Sequence, residues 1–183
     1  PDKSAAKHRP PVHTACASRN IVPKSCNGIN PDDLPKDDII FRSPDNTIMV
    51  FGSSELLISA TSTTRVCIDG TFSRCPKTHY QLLTCHAVCS DGFAFPFAFA
   101  LLANKRSTTY STVFNEVDRK ASLLCGKVVF SRNDVVISCD FEKGILKAAE
   151  TMHCSVRCCH FHFNQSLWRF MHKNGMSSRY ISD

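Results

Sequence analysis

Val66-Cys67-Ile68-Asp69-Gly70 is a short apolar run that ends on a carboxylate and a turn residue, and the elements after it follow in a telling order. Tyr80–Val88 reads as a second strand, and Asp91-Gly92 suits a hairpin turn into a third, Phe93–Leu102. Pro96 cannot donate to a ladder, so the third strand is expected at a sheet edge. Ser107 or Thr108 then caps a helix whose apolar stripe is Tyr110, Val113, Phe114, Val117, Ala121 and Leu124, with Gly126 as its stop. Val128–Phe130 reads as loop or strand, and Asp134–Cys139 as a buried strand ending at Asp140. A second helix from Phe141 to about His153 is expected to bury Phe141, Ile145, Ala148, Ala149 and Met152. Val156–Phe161 is a fifth strand and Asn164–Lys173 a third helix.

Upstream, order is expected to begin at Ile39-Ile40-Phe41. The turn Ser43-Pro44-Asp45-Asn46 leads into a short strand, Thr47–Phe51. Ser54–Ala60 reads as a short helix or turn with Leu56 and Leu57 inward. Residues 1–37 hold most of the prolines and little periodicity, the pattern of an extended arm or linker leading into a domain over 38–183. Pro1–Lys7 is polar, without an initiator Met or a signal-peptide pattern, which suggests a fragment of a longer chain.

With 183 residues, 43% hydrophobic and 21% charged, the chain is neither wholly disordered nor fibrous and can build one substantial core. Its longest apolar run, Phe93 to Ala103, is too short to span a bilayer and is broken by Pro96. Eleven cysteines, an odd number spread through apolar segments, fit reduced thiols of a cytosolic or nuclear protein better than a small disulfide scaffold. The formal net charge of +6 permits a polyanionic partner. From Ser155 onward Arg157, Arg169, Lys173 and Arg179 face the single acid Asp183, so that end is the candidate for touching phosphates, or else a solvated helix face.

The element order brings Asp69 and Asp140 together. A meander with its first strand innermost, followed by a crossover helix, pairs the fourth strand in parallel beside the first. Both carboxylates then stand at the carboxyl ends of neighbouring strands, with backbones roughly 5 Å apart. Ligands of open α/β sheets bind there. Two adjacent carboxylates repel unless a proton or cation lies between them, and a Mg²⁺ or Mn²⁺ pair so held suits phosphodiester cleavage. The same residues also fit a plain Asp-Gly turn and a helix cap with Glu142 in the first turn.

Local sequence is more specific. Asp69-Gly70-Thr71-Phe72, Cys75-Pro76 and Tyr80-Gln81-Leu82 resemble the opening of the Mutator-like element (MULE) transposase domain. The likeness continues through Ala100-Leu101-Leu102-Ala103-Asn104-Lys105, Thr109-Tyr110 and Asp140-Phe141-Glu142. It then takes in Cys159-His160-Phe161-His162-Phe163-Asn164-Gln165, Trp168-Arg169, Gly175 and Tyr180. The resemblance implies an α/β, RNase H-like fold with a mixed five-stranded sheet flanked by helices. It also implies a nuclear, metal-dependent DDE-type transposase, with Asp69 and Asp140 as the first two catalytic acids. Its partners would be double-stranded DNA at transposon terminal repeats and further copies of itself in a synaptic complex, with no membrane. The family's third acid, a Glu, lies beyond a helical insertion after the Cys-x-x-His segment, and no Glu follows Glu150 here. A C-terminally truncated domain with an incomplete active site is therefore expected, and a catalytically inactive DNA- or protein-binding module is the alternative function.

His153, Cys154, Cys158, Cys159, His160 and His162 crowd one segment with donors that suit Zn²⁺. The family's Cys-x-x-His maps to Cys159 and His162, two ligands where a structural zinc takes four. On a continuous strand, Cys158, His160 and His162 would share one face and Cys159 the other, so buried thiols and a satisfied histidine are the competing reading. His8, His13, Cys16 and Cys26 match no zinc-finger spacing. Trp168, beside Leu167 and Met171, reads as core rather than as a base-stacking ring.

Overall fold

The computed structural model describes residues 35–73 and 75–176. Of the arm assigned to 1–37, residues 1–34 fall outside them, and Lys36–Asp38 forms a single 3₁₀ turn. Strands β1 (Ile39–Arg42) and β2 (Ile48–Phe51) make an antiparallel hairpin. Its turn is held by Asp45, whose Oδ1 accepts from Ser43 Oγ at 2.7 Å and from Thr47 Oγ1 at 2.8 Å, while Asn46 takes the left-handed φ of 56°. After helix α1 (Ser54–Ala60) come β3 (Arg65–Thr71), β4 (Gln81–Val88) and β5 (Ala94–Leu102), an antiparallel meander. The Asp91-Gly92 turn is where the sequence puts it: Gly92 has φ 86°, and Asp91 Oδ1 accepts from Phe93 N at 2.9 Å.

Helix α2 (Ser107–Cys125) then returns the chain to β6 (Val136–Cys139), which pairs with β3 in parallel. Helix α3 (Lys143–Glu150) leads in the same way to β7 (Ser155–Cys158), parallel to β6, and α4 (His160–Lys173) follows. The result is an α/β architecture on one mixed sheet in the order β1-β2-β5-β4-β3-β6-β7. The sheet has seven strands where five were expected. The β1–β2 hairpin docks along β5, from Ile48 opposite Leu102 to Phe51 opposite Phe99, and satisfies backbone groups that β4 leaves open. Thus β5 is not an edge strand along its whole length. Among the described residues, only the half holding Pro96 lacks a neighbour on the β2 side, and a register shift falls opposite it between Cys85 and His86.

Alternation along the strands decides which face is covered. Val66, Ile68, Leu83, Cys85, Ala87, Ile137 and Cys139 turn to one side and join a single core with Tyr110, Val113, Phe114 and Val117 of α2 and Ile145, Ala148 and Ala149 of α3. Phe130 comes from the α2–β6 loop into this core, its ring 4.7 Å from that of Phe114. The loop has no regular structure, yet it is fixed by the buried Asp118, whose carboxylate accepts the backbone N–H groups of Val129, Phe130 and Ser131 at 2.7, 2.8 and 2.9 Å.

Helix ends depart from expectation for local reasons. Arg106 rather than Ser107 or Thr108 is the N-cap of α2, and the turn before it is held by Asn104, whose Oδ1 accepts from Arg106 N and Thr109 Oγ1. Gly126 ends the helix in the left-handed conformation, as its sequence position predicts, whereas Leu124 points outward. Helix α3 is shorter than its 141–153 expectation, which leaves Phe141 exposed in the turn before it. Strand β7 stops at Cys158, because Cys159 caps α4 while its N–H donates to Cys139 O at 2.6 Å, and the helix starts at His160 instead of Asn164. None of the residues of α4 is buried, so Trp168 is half-exposed rather than core.

A strand-end carboxylate site

Residues of β3 and β6 pair as Arg65 with Val136, Val66 with Ile137 and Cys67 with Ser138. Continuing that register past Cys67 and Ser138 points Asp69 toward Asp140, but Asp69 is not the end of its strand as expected: β3 runs on to Thr71, paired with β4 through Asp69, Gly70 and Thr71, whereas Asp140 follows the last residue of β6. On β3 the buried Val66 and Ile68 take one face, so Asp69 takes the other and its side chain is 58% exposed. Asp140 is half-buried just past the end of β6, and its Oδ1 accepts from Glu142 N at 3.0 Å.

Behind the two acids lies a network to which the sequence reading gave no role. Lys105 Nζ meets Glu142 Oε2 at 2.6 Å, and the Glu142 side chain is only 12% exposed. Tyr110, fully buried, shares its hydroxyl proton between Glu142 Oε1 and Gln81 Oε1, the latter at 2.8 Å. Burial raises the Tyr110 hydroxyl well above the ordinary phenol range, and the Glu142 hydrogen bond and charge raise it further, so it stays a donor. Two glycines make room. A Cβ on Gly70 would lie 1.8 Å from Gln81 Nε2, and one on Gly144 would lie 2.4 Å from Lys105 O. Gln81, Lys105, Tyr110 and Glu142 all stand in the motif segments quoted above. The available signal was a Lys and a Glu standing at two element junctions. With Glu142 committed to Lys105 and Tyr110, Asp69 and Asp140 are left as the open carboxylates.

Only one member of the Cys-x-x-His pair reaches the acids. His162, in the first turn of α4, places Nε2 3.8 Å from Asp69 Oδ1, while its buried Nδ1 has no partner among the described residues. Cys159 sits at the cap of α4, so the single-strand geometry considered from sequence does not apply. Among the described residues no group of three or more His, Cys, Asp and Glu side chains gathers as a metal cage. Asp69 and Asp140 therefore offer two oxygen donors with open positions, a set that fits Mg²⁺ or Mn²⁺ completed by waters and phosphate oxygens.

The cysteines of this region divide by burial. Desolvation pushes the Cys85 and Cys139 thiols up to about 12, and at Cys139 the neighbouring Cys158 and Asp140 add to the effect. Cys158 is exposed. Brief alkylation at pH 8 with peptide mapping is expected to label Cys158 and spare Cys85 and Cys139. Labelling of Cys139 at a rate comparable to Cys158 would mean that the β6 end is open.

Of the residues assigned to DNA, Arg157 is exposed on β7, and Arg169 and Lys173 are exposed four apart on α4. Arg179 lies outside the described residues. No described helix is long and apolar enough to cross a membrane. Compared with known protein families, residues 65–166 match the MULE transposase domain. No curated protein and no solved structure matches the chain.

Proposed function

Because the chain belongs to the MULE transposase domain family, we propose that it is an RNase H-like, DDE-type domain whose Asp69 and Asp140 hold a divalent cation against a DNA phosphate. The observation that supports this most is the parallel register of β3 and β6, which, continued by two residues, points Asp69 toward Asp140. The order β5-β4-β3-β6-β7, three meandering strands followed by two parallel ones, supports the fold assignment.

A bound Mg²⁺ or Mn²⁺ supplies positive charge to the phosphodiester and to the oxygen that attacks it. The protein's own part is positioning. The rigid sheet fixes both acids, and the Glu142 backbone N–H orients the Asp140 carboxylate through the hydrogen bond at 3.0 Å. Lys105 and Tyr110 in turn hold Glu142 in place from α2 and the loop before it. The exposed cations Arg157, Arg169 and Lys173 give affinity through the DNA backbone with little reading of sequence.

Fluorescence anisotropy of a labelled duplex, with and without Mn²⁺, tests the proposal. Mn²⁺ is expected to tighten binding by the wild-type protein and to leave Asp69→Asn unaffected; a wild-type affinity indifferent to Mn²⁺ would contradict it. Separately, Arg169→Ala with Lys173→Ala is expected to weaken duplex binding and to reduce the slope of log affinity against log salt by about 2. An unchanged slope would make that face of α4 ordinary surface.

A further inference from the structure

Next to the Lys105–Glu142 ion pair lies a surface that the metal chemistry does not use. Phe72 ends the segment that carries Asp69, and Tyr80 immediately precedes β4. Their rings meet edge to face, with centroids 5.5 Å apart. Both are exposed, at 46% and 55%. Lys105 Nζ stands 4.2 Å from the Phe72 ring centroid and 5.9 Å from that of Tyr80. The same lysine holds Glu142, so the rings are tied to the network behind Asp140. Tyr80 and Lys105 also line an open hollow of about 300 Å³ with Ala103 and Asn104. Lys77 in the Phe72–Tyr80 loop and Arg106 next to Lys105 in sequence are both exposed.

Single exposed aromatics are ordinary on protein surfaces. Two rings in contact, bridged by a cation that also holds Glu142 next to Asp140, with one ring lining an open hollow, match the chemistry of a nucleotide: a flat π-face with an anionic backbone. We propose that Phe72 and Tyr80 form a stacking platform for an unpaired base of the DNA strand held at Asp69 and Asp140. This subsite deepens the DNA reading above and rests on it. It assigns Phe72 and Tyr80 to binding, with Lys105 as a positioning residue that fixes the Phe72 ring. Stacking is indifferent to base identity, so the platform recognises an opened or single-stranded end rather than a sequence.

Anisotropy with a blunt duplex and with the same duplex carrying a short single-stranded tail separates the two claims. The wild-type chain is expected to bind the tailed duplex about tenfold more tightly than the blunt one. Phe72→Leu combined with Tyr80→Leu should remove that preference while leaving blunt-duplex affinity unchanged. Tyr80→Phe, which keeps the ring, should retain it. Because both side chains are largely exposed, the leucine variants are expected to fold, and their melting curves check this directly. If the wild type binds the blunt duplex but shows no preference for the tail, or the double variant keeps the preference, the platform is wrong and the DNA reading stands. If the wild type binds neither DNA, both are overturned.

Discussion

Calorimetric titration of Asp69→Asn with Mn²⁺ is expected to show affinity lowered by more than about tenfold, with thermal stability unchanged or slightly raised. The substitution keeps the shape of the side chain and removes one of the two negative charges proposed to hold the cation. Asp140 alone cannot then neutralise a divalent ion, and Glu142 cannot replace the lost charge because its carboxylate is engaged by Lys105 and Tyr110. Stability should not suffer, since the Asp69 side chain is 58% exposed and like-charge repulsion falls when its charge is removed. Asp140→Asn should lose metal in the same way but with some cost to the fold, because Asp140 Oδ1 also accepts from Glu142 N. Unchanged Mn²⁺ affinity in Asp69→Asn would move the metal elsewhere on the protein.

The largest expected effect on stability lies away from the site, at Asp118. This carboxylate is buried on α2 and is the acceptor for three consecutive backbone N–H groups, of Val129, Phe130 and Ser131. Asp118→Ala strands those donors in the interior. At roughly 1–3 kcal/mol for an unsatisfied buried group, partly offset by water entering the gap, a loss of about 3 kcal/mol is expected. For a chain of this size that lowers the melting temperature by roughly 6–12 °C. Asp118→Asn retains one acceptor oxygen and should cost less. The loop it anchors carries Phe130 into the core and delivers β6 to its place beside β3, so loosening it should also weaken Mn²⁺ binding at Asp140. A melting temperature within about 2 °C of wild type would show that the three hydrogen bonds matter little.

Much of this was legible in the sequence because the meander, the crossover helix and the turns are written in local chemistry. The Asp91-Gly92 turn, the Gly126 stop and the apolar stripe from Tyr110 to Ala121 are all found where residue type and spacing put them. The parallel pairing of β3 with β6 followed from element order alone. What was hidden depends on partners distant in sequence. Pro96 signals an edge, but it cannot announce that Ile48–Phe51 will return and cover the other half of its strand. Leu124 and Phe141 are apolar residues on helix flanks, and periodicity does not distinguish a buried flank from an exposed one. At the site, the two acids could be read from strand ends, whereas Glu142, Lys105, Tyr110 and Gln81 matter through contacts that span as many as 37 positions. Proximity of His162 to Asp69 was likewise invisible, because it depends on β7 ending one residue before the cap of α4.

Amide NMR of the ¹⁵N-labelled chain during titration with Mn²⁺ tests the shared strand-end site most directly, because a paramagnetic ion broadens only the signals close to it. The Gly70 and Phe141 resonances, which adjoin the two carboxylates, are expected to disappear first and together, before those of α2. Loss of one without the other, or first broadening at a distant segment with both intact, would contradict a cation held between Asp69 and Asp140.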